Sequence, residues 1–206
     1  MLNTMMSSLR AALITWLLCG LIYPLALTGL GQWLFPFQAN GSLERGPAGA
    51  IIGSRLIGQQ WNGPEWFHGR PSATMASDPS DPAKTVAAPY NAASSAGSNL
   101  GPTSKLLMER ITKDRNALER AQPELVGRLL SSDMVTASAS GLDPDISPAN
   151  AALQIERVAR ARGVPATDIK MLLDRYITNR SLGIFGEPRV NVLALNLALQ
   201  RAYPKP

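Results

Sequence analysis

The side chains that could do chemistry are few, and most lie in one short motif. The only histidine, His68, falls within residues 66–72, and the only cysteine, Cys19, lies in an apolar run. A Cys/His catalytic pair is therefore excluded, and a histidine metal site would need carboxylate help. Ser72 follows His68 by four residues, but no acid is placed to orient the ring. We expect no catalytic or metal-binding residue, and we expect His68 and Arg70 to be structural or interface residues.

A second candidate is the loop of residues 90–102, which is rich in asparagine, serine and glycine and precedes a predicted helix. Backbone N–H groups in such a position can bind phosphate. The loop has Pro102-Thr103 after its last glycine, where a P-loop has Lys-Ser or Lys-Thr. A structural loop is therefore the preferred interpretation. The alternative is a nucleotide-binding site built from the side chains of Tyr90, Asn91, Ser95, Ser98 and Asn99.

Two acidic motifs complete the candidates. Asp143 and Asp145 lie two residues apart before a predicted helix, but a calcium loop needs further acids at alternate positions. Glu187 and Arg189 flank Pro188, which predicts a turn with a local ion pair. We expect Asp143, Glu187 and Arg189 to be structural or interface residues. The sequence contains neither a Walker A motif nor Asp-Lys-Thr-Gly-Thr, so it is not expected to hydrolyse ATP.

The elements that must position these residues begin with an uncharged apolar run over residues 11–37. A helix of about 20 apolar residues crosses the bilayer, so this run predicts a retained transmembrane helix. A cleaved signal peptide is disfavoured, because the run is too long and lacks a good cleavage site. Close packing against another membrane helix is expected for five positions: Gly20, Tyr23, Pro24, Gly29 and Gly31.

The short positive N-terminus favours a cytoplasmic start, and long domains translocate largely regardless of charge. The predicted organisation is a cytoplasmic segment 1–10, a membrane span 11–37 and a periplasmic domain 38–206, in the inner membrane of a bacterium. The net charge of +5 is spread along the 206 residues without basic blocks, so nucleic-acid binding is not expected, whereas membrane lipid is.

The fold class predicted for the soluble part is α+β, as one mixed domain. Residues 38–102 favour short strands and ordered loops. Helices are predicted over 103–122, over 123–130, from Ser147-Pro148 to Gly163, from Pro165 onward, and over 190–199 with Asn191 as cap. Residues 134–139 predict a strand or an extended segment. On the first long helix we expect ion pairs between Lys105 and Glu109 and between Arg110 and Asp114.

Several motifs, in this order along the chain, resemble the C subunit of the Kdp-type potassium-transporting P-type ATPase. They are the N-terminal span with Tyr23-Pro24 and Thr28, Gly53-Ser54, Leu56-Ile57-Gly58-Gln59, residues 67–72, Tyr90-Asn91-Ala92, residues 95–102, residues 135–144, Ile146-Ser147-Pro148, residues 186–193 and Leu195-Asn196-Leu197. Ala139 replaces an expected glycine, and Asp145 stands where the family often has histidine.

The resemblance implies a non-catalytic accessory subunit of a potassium uptake complex. Its implied partners are a channel-like potassium-binding subunit, the catalytic P-type ATPase subunit and a small peptide subunit. ATP and potassium would be handled by the complex, and no cofactor is expected on this chain. The family's C subunit is described as an assembly factor and as a chaperone that raises the ATP affinity of the catalytic subunit. A periplasmic domain would have to exert that effect indirectly. The alternative is direct nucleotide binding through residues 90–102.

Overall fold

A long apolar helix precedes a mixed domain of helices and short strands. This computed structural model describes residues 1–46 and 49–204. The chain divides into two units, Met1–Ile51 and Ile52–Pro206. The fold class predicted from the sequence is confirmed, because short strands and loops come first and helices dominate the C-terminal half.

The first unit consists mainly of helix α1, which runs over Leu2–Leu34. With 33 residues the helix is long and apolar enough to cross a membrane, and none of its residues is buried within the chain. The helix starts nine residues before the predicted span. A turn of π-helix, Leu18–Ile22, interrupts it just before Pro24. Proline cannot donate to the carbonyl four residues earlier, and its ring crowds that carbonyl, so the wider turn accommodates it. A one-turn helix α2 (Pro36–Ala39) and strand β1 (Leu43–Arg45) follow.

The first half of the second unit is mostly irregular. Strand β2 (Ile51–Ser54) begins at the boundary between the units. Strands β3 (Met75–Ser77) and β4 (Thr85–Ala87) form an antiparallel hairpin in which Met75 faces Ala87. Between these short strands the chain has little regular structure of its own, so its main-chain polar groups need partners elsewhere.

The second half forms a helical layer on a small sheet. The sheet has the order β5-β7-β6, with every pair antiparallel. Its strands are β5 (Asp145–Ile146), β6 (Ile177–Thr178) and β7 (Arg189–Asn191). The helices are α3 (Lys105–Ala121), α4 (Pro148–Arg162), α5 (Ala166–Arg175) and α6 (Val192–Ala202). Helices α4, α5 and α6 pack over the main core. Its buried side chains come from these helices, from β7 and from the segment before β3, and they include Phe67, Val158, Ile169, Val190, Leu195 and Leu199.

Local capping sets the ends of these helices, as the sequence predicts. The Ser147 hydroxyl accepts the Asn150 N–H at 3.0 Å, and Asn191 Oδ1 accepts the Ala194 N–H at 3.0 Å. Gly163 ends α4 in the left-handed conformation, with φ of 65°. Burial raises the pKa of Asp133, but hydrogen bonds from Ser131 and Ser147 outweigh burial and hold this pKa below its ordinary value.

The segment between α3 and α4 differs from its prediction. Only a 3₁₀ turn, Pro123–Leu125, forms where a helix over 123–130 was expected, because Val126 leaves the helical conformation with a ψ of 125° and Gly127 follows with a φ of 75°. A second 3₁₀ turn, Ser132–Met134, leads into the predicted extended segment, which forms no strand in the described chain. Burial of Leu125, Met134 and Val135 against α3 dictates this conformation.

On α3, Lys105 pairs with Glu109 at 3.7 Å, as expected. The expected pair of Arg110 with Asp114 is absent from the ion pairs of the described residues, and Arg115 instead pairs with Glu119 at 2.8 Å. Arg110 and Asp114 both line the cleft described below.

Candidate functional site

The motif around His68 is an irregular segment whose main chain is hydrogen-bonded by side chains from two helices. The Phe67 N–H donates to Asn196 Oδ1, and Asn196 Nδ2 donates to the Phe67 carbonyl, both at 2.9 Å. Both residues are fully buried. The amide of Asn196 on α6 therefore takes the place of a neighbouring strand, which removes the cost of burying two unpaired main-chain groups.

Gln154 on α4 repeats this arrangement one residue further along. The His68 N–H donates to Gln154 Oε1 at 2.8 Å, and Gln154 Nε2 donates to the His68 carbonyl at 3.0 Å. Gln154 Nε2 also donates to Asn150 Oδ1 at 2.7 Å, which holds the amide in place. Two successive residues of the motif are thus held by amides from two different helices.

Two buried arginines bond the residues before Phe67. Arg157 donates to the carbonyls of Pro64 at 2.7 Å and Trp66 at 2.8 Å. Arg162 Nε donates to the Glu65 carbonyl at 2.9 Å, and its guanidinium lies 4.5 Å from the ring centre of Trp66. Burial lowers the pKa of Arg157 to about 10, so the side chain remains charged at neutral pH and its donors stay available.

The ring of His68 is part of the same structure. Its Nε2 lies 2.8 Å from the Gly63 carbonyl, which can only accept, so Nε2 carries the proton. Burial, and then the positive charge of Arg157, lower the pKa of His68 below its ordinary 6.5. The imidazole is therefore neutral at pH 7 and closes a turn with its one N–H.

Arg70 and Asp143, predicted as structural residues, form an ion pair at 3.0 Å. Next to them, the Tyr90 hydroxyl donates to the Arg70 carbonyl at 2.7 Å. Burial, and then the charge of Asp143, raise the pKa of Tyr90 to about 12. A Cβ added at Gly58 would overlap the Tyr90 ring and the Asp143 carbonyl, and one added at Gly69 would overlap the bonded Tyr90 hydroxyl, so both positions favour glycine.

The residues of the predicted nucleotide loop form hydrogen bonds with main-chain groups of the protein itself. The Asn91 amide donates to the Met75 carbonyl at 2.7 Å and accepts the Ala93 N–H at 3.1 Å. The Ser95 hydroxyl donates to the Ser140 carbonyl at 2.9 Å. Ser98 lies in the same loop, and Asn99 adopts a left-handed φ of 51° there. Nucleotide binding at these residues stays a prediction, and the groups that would serve it already have partners at Tyr90, Asn91 and Ser95.

The expected local pair of Glu187 with Arg189 is wrong. Glu187 pairs with Arg180 at 2.6 Å, and Arg189 pairs with Asp145 at 3.2 Å. The reason is strand pairing, because Arg189 begins β7 beside β5, which brings Asp145 close. Burial raises the pKa of Asp145, although hydrogen bonding by Asn191 and the charge of Arg189 oppose the shift.

An open cleft of about 680 Å³ lies beside the His68 motif. Its lining includes Trp61, His68, Arg70, Tyr90, Arg110 and Asp114. Within residues 1–46 and 49–204, no group of three or more His, Cys, Asp or Glu side chains could hold a metal ion. The hydroxyl of Tyr90 and the ring of His68 are each bonded to a main-chain carbonyl, so both act as structural donors.

Sequence reasoning missed Gln154, Arg157 and Asn196, although together they hold the motif. Their signal was present as polar residues within otherwise apolar helical repeats, for example Asn196 within Val192-Leu193-Ala194-Leu195-Asn196-Leu197. Such a residue indicates a buried polar partner, but the sequence does not reveal which segment supplies it.

The residues predicted for packing in the membrane helix are exposed within the chain. A Cβ added at Gly29 or Gly31 would meet no atom within 4 Å, and at Gly20 it would meet only the Trp16 ring at 3.6 Å. Tyr23 is likewise exposed and begins the section of α1 after the π-helical turn, and Pro24 follows it in the first turn of that section.

A membrane-length helix followed by a domain whose polar side chains stabilise its own fold fits the class of single-pass membrane subunits. Similarity to known proteins identifies the family within this class. The family model described as K⁺-transporting ATPase, c chain, matches residues 5–201. The chain belongs to this family, which confirms the resemblance found in its sequence, and it is an accessory subunit of a potassium uptake complex.

Several curated relatives are similar over almost the whole chain, and each is described as a potassium-transporting ATPase KdpC subunit. The relative from Rhodopseudomonas palustris (strain ATCC BAA-98 / CGA009) is 54% identical over 206 residues, 98% of this chain and 100% of its own. That from Bradyrhizobium diazoefficiens is 53% identical over 205 residues, with the same shares. That from Methylorubrum extorquens is 54% identical over 200 residues, 95% of this chain and 97% of its own.

The first prediction concerns the amide that holds Phe67. Asn196→Leu keeps the number and branching of the side-chain heavy atoms but leaves the Phe67 N–H and carbonyl buried without partners, so we expect the free energy of unfolding to fall by about 3 kcal/mol. Denaturant unfolding of the full chain in detergent measures this. Asn116→Leu, on the exposed face of α3, is the matched control. A loss no larger than that of the control would contradict the role assigned to Asn196.

The second prediction concerns pH. The folded chain lowers the pKa of His68 and so favours the neutral ring. The stability that depends on this ring is fully present above its ordinary pKa of 6.5 and is lost as the pH falls through the lowered value. We expect the unfolding midpoint to drop as the pH falls from neutral through 6.5 and below. In His68→Gln the drop should be smaller, and an equal drop in both proteins would refute the assignment.

Proposed function

We propose that this chain is a non-catalytic subunit that stabilises the assembled potassium pump. Helix α1 packs in the membrane against the channel-like potassium-binding subunit, and the domain after it caps that subunit outside the bacterial inner membrane. The catalytic ATPase subunit and the small peptide subunit complete the complex, and hydrolysis takes place on the catalytic subunit. The observation that carries the proposal is α1 itself, a helix of 33 residues that is long and apolar enough to cross a membrane and has no residue buried in the chain.

The glycines of α1 support packing on a partner. Helices in a bilayer associate through small residues that let their backbones approach, since lipid offers no hydrophobic drive. Gly29 and Gly31 leave open space in which a Cβ would meet nothing. The wider turn before Pro24 also loosens the helix, and neighbouring helices commonly satisfy the main-chain groups freed in this way.

The interior of the domain supports a structural role. His68, Tyr90 and Arg157 each donate to main-chain carbonyls, which makes them poor candidates for acid–base chemistry. A domain held together in this way presents a defined surface to a partner.

The effect on ATP affinity described for the family would then be indirect, passing through the membrane subunits to the catalytic subunit. Direct nucleotide binding by residues 90–102 is the less favoured alternative. The internal hydrogen bonds of Tyr90, Asn91 and Ser95 argue against it.

The orientation gives the third prediction. In a Cys19→Ser background, which removes the only cysteine, Ala117→Cys on the exposed side of α3 should react in intact cells with a membrane-impermeant maleimide. Ser7→Cys, at the other end of the membrane helix, should react only after permeabilisation. The reverse pattern would place the domain in the cytoplasm and revive direct nucleotide binding.

The fourth prediction tests the packing of α1. Gly31→Leu fills the space that a partner helix would occupy, so we expect co-purification with the other subunits to fall about tenfold, as for a loss of about 1.4 kcal/mol. Leu30→Ile, a volume-conserving change at the next position, is the control and should retain the complex. Full recovery of the complex with both Gly29→Leu and Gly31→Leu would exclude these glycines from the interface.

A further inference from the structure

The hairpin between β6 and β7 exposes three large apolar side chains. Leu182 is 88% exposed, Ile184 72% and Phe185 64%. No charged residue occurs over 181–186, whereas Arg180 and Glu187 stand on either side. Residues 181–186, the tip of the hairpin, thus form a small apolar projection, and Arg180 and Glu187 form a charged neck below it. A soluble domain avoids such an exposed apolar projection unless a partner covers it.

The hairpin is ordered by its own contacts. The Ser181 N–H donates to the Phe185 carbonyl at 2.8 Å, and the Phe185 N–H donates back at 3.0 Å. At the neck, Arg180 Nη2 donates to both carboxylate oxygens of Glu187, at 2.8 and 2.6 Å. Leu182 holds a left-handed φ of 54°, which is unfavourable for leucine and is maintained only because these contacts close the turn.

A cationic groove of about 440 Å³ adjoins the base of the hairpin. Thr178 at the end of β6 and Arg189 at the start of β7 both line it, so the hairpin begins and ends in its wall. Its charged side chains are three arginines and one carboxylate: Arg55, Arg175, Arg189 and Asp145. Asp145 pairs with Arg189, and Arg175 forms no ion pair with any described residue.

We infer that this groove and tip bind anionic phospholipid, with the lipid phosphate in the arginine groove and the side chains of Leu182, Ile184 and Phe185 among the acyl chains. An excess of arginine suits a phosphate, and an apolar tip with a charged neck matches the change from hydrocarbon to headgroup. The inference goes beyond the proposed function and does not depend on which side of the membrane holds the domain.

Two observations favour lipid over a protein partner. Three side chains bury far less than the roughly 800 Å² per partner of a stable protein interface. The bilayer is also near, because the 17 residues 35–51 span at most about 60 Å even when fully extended. This short connection keeps the domain close to the membrane that α1 crosses. A weak contact suffices in that case, since the membrane helix keeps the domain at high local concentration.

The fifth prediction uses the full chain in nanodiscs. In the Cys19→Ser background, Phe185→Cys carries an environment-sensitive fluorophore. With equal parts phosphatidylcholine and phosphatidylglycerol we expect a blue-shifted emission that lipid-borne spin labels quench, and with phosphatidylcholine alone we expect neither. Leu129→Cys, at an apolar position 95% exposed outside the hairpin, should stay unquenched. Equal quenching at both sites, or none at Phe185→Cys, would overturn the inference.

The groove is tested by Arg175→Gln, which should raise the phosphatidylglycerol fraction needed for half-maximal quenching about fivefold, the effect of one basic residue near an anionic surface. Lys170→Gln, on the same helix but outside the groove, should leave it unchanged. Equal effects of the two variants would overturn the headgroup site.

Two further measurements distinguish lipid from a soluble anion and from a protein partner. Inorganic phosphate added to neutral nanodiscs should leave the emission unchanged, and a shift with phosphate alone would assign the groove to a soluble anion. In the purified pump complex, the label should remain quenched by lipid. A blue shift without lipid quenching there would assign the tip to a protein partner. Because the first measurements need only the isolated chain, their failure leaves the assembly role untouched.

Discussion

The domain depends on how it satisfies the main chain of residues 63–68, in which Phe67 is fully buried. This segment packs against the helices without a neighbouring strand, and an unpaired buried N–H or carbonyl costs about 1–3 kcal/mol. Asn196 and Gln154 supply both a donor and an acceptor to successive residues, and Arg157 and Arg162 bind the carbonyls before them. Helices α4 and α6 can pack on this segment only because those four side chains lie at the contact.

This constraint also determines what the conspicuous polar residues of the domain bond to. The polar residues that stand out in the sequence, such as His68, Arg70 and Tyr90, are bonded to main-chain carbonyls or to one another. The lowered pKa of His68 and the raised pKa of Tyr90 follow chiefly from burial and not from a reacting partner. The surfaces that remain for function are the faces of α1 and the periphery of the domain, which suits a subunit that joins a larger membrane complex.

Sequence reasoning did well where the determinants are local. Ser147, Gly163 and Asn191 each set a helix end through contacts within four residues, and all three ends were predicted. It failed between α3 and α4, where the burial of Leu125 and Met134 overrides the local pattern. It failed also at Glu187 and Arg189, whose partners lie on other turns and strands.

By itself the sequence determined the membrane-length helix, the α+β class, the helix caps and the family, because composition, short-range spacing and motif order carry that information. Only the tertiary structure decided what the polar residues do. Asn196 and Phe67 are 129 residues apart, and Arg70 and Asp143 are 73 apart. No local pattern encodes such pairs, since they form only when helix packing excludes water and leaves each buried group to find its partner.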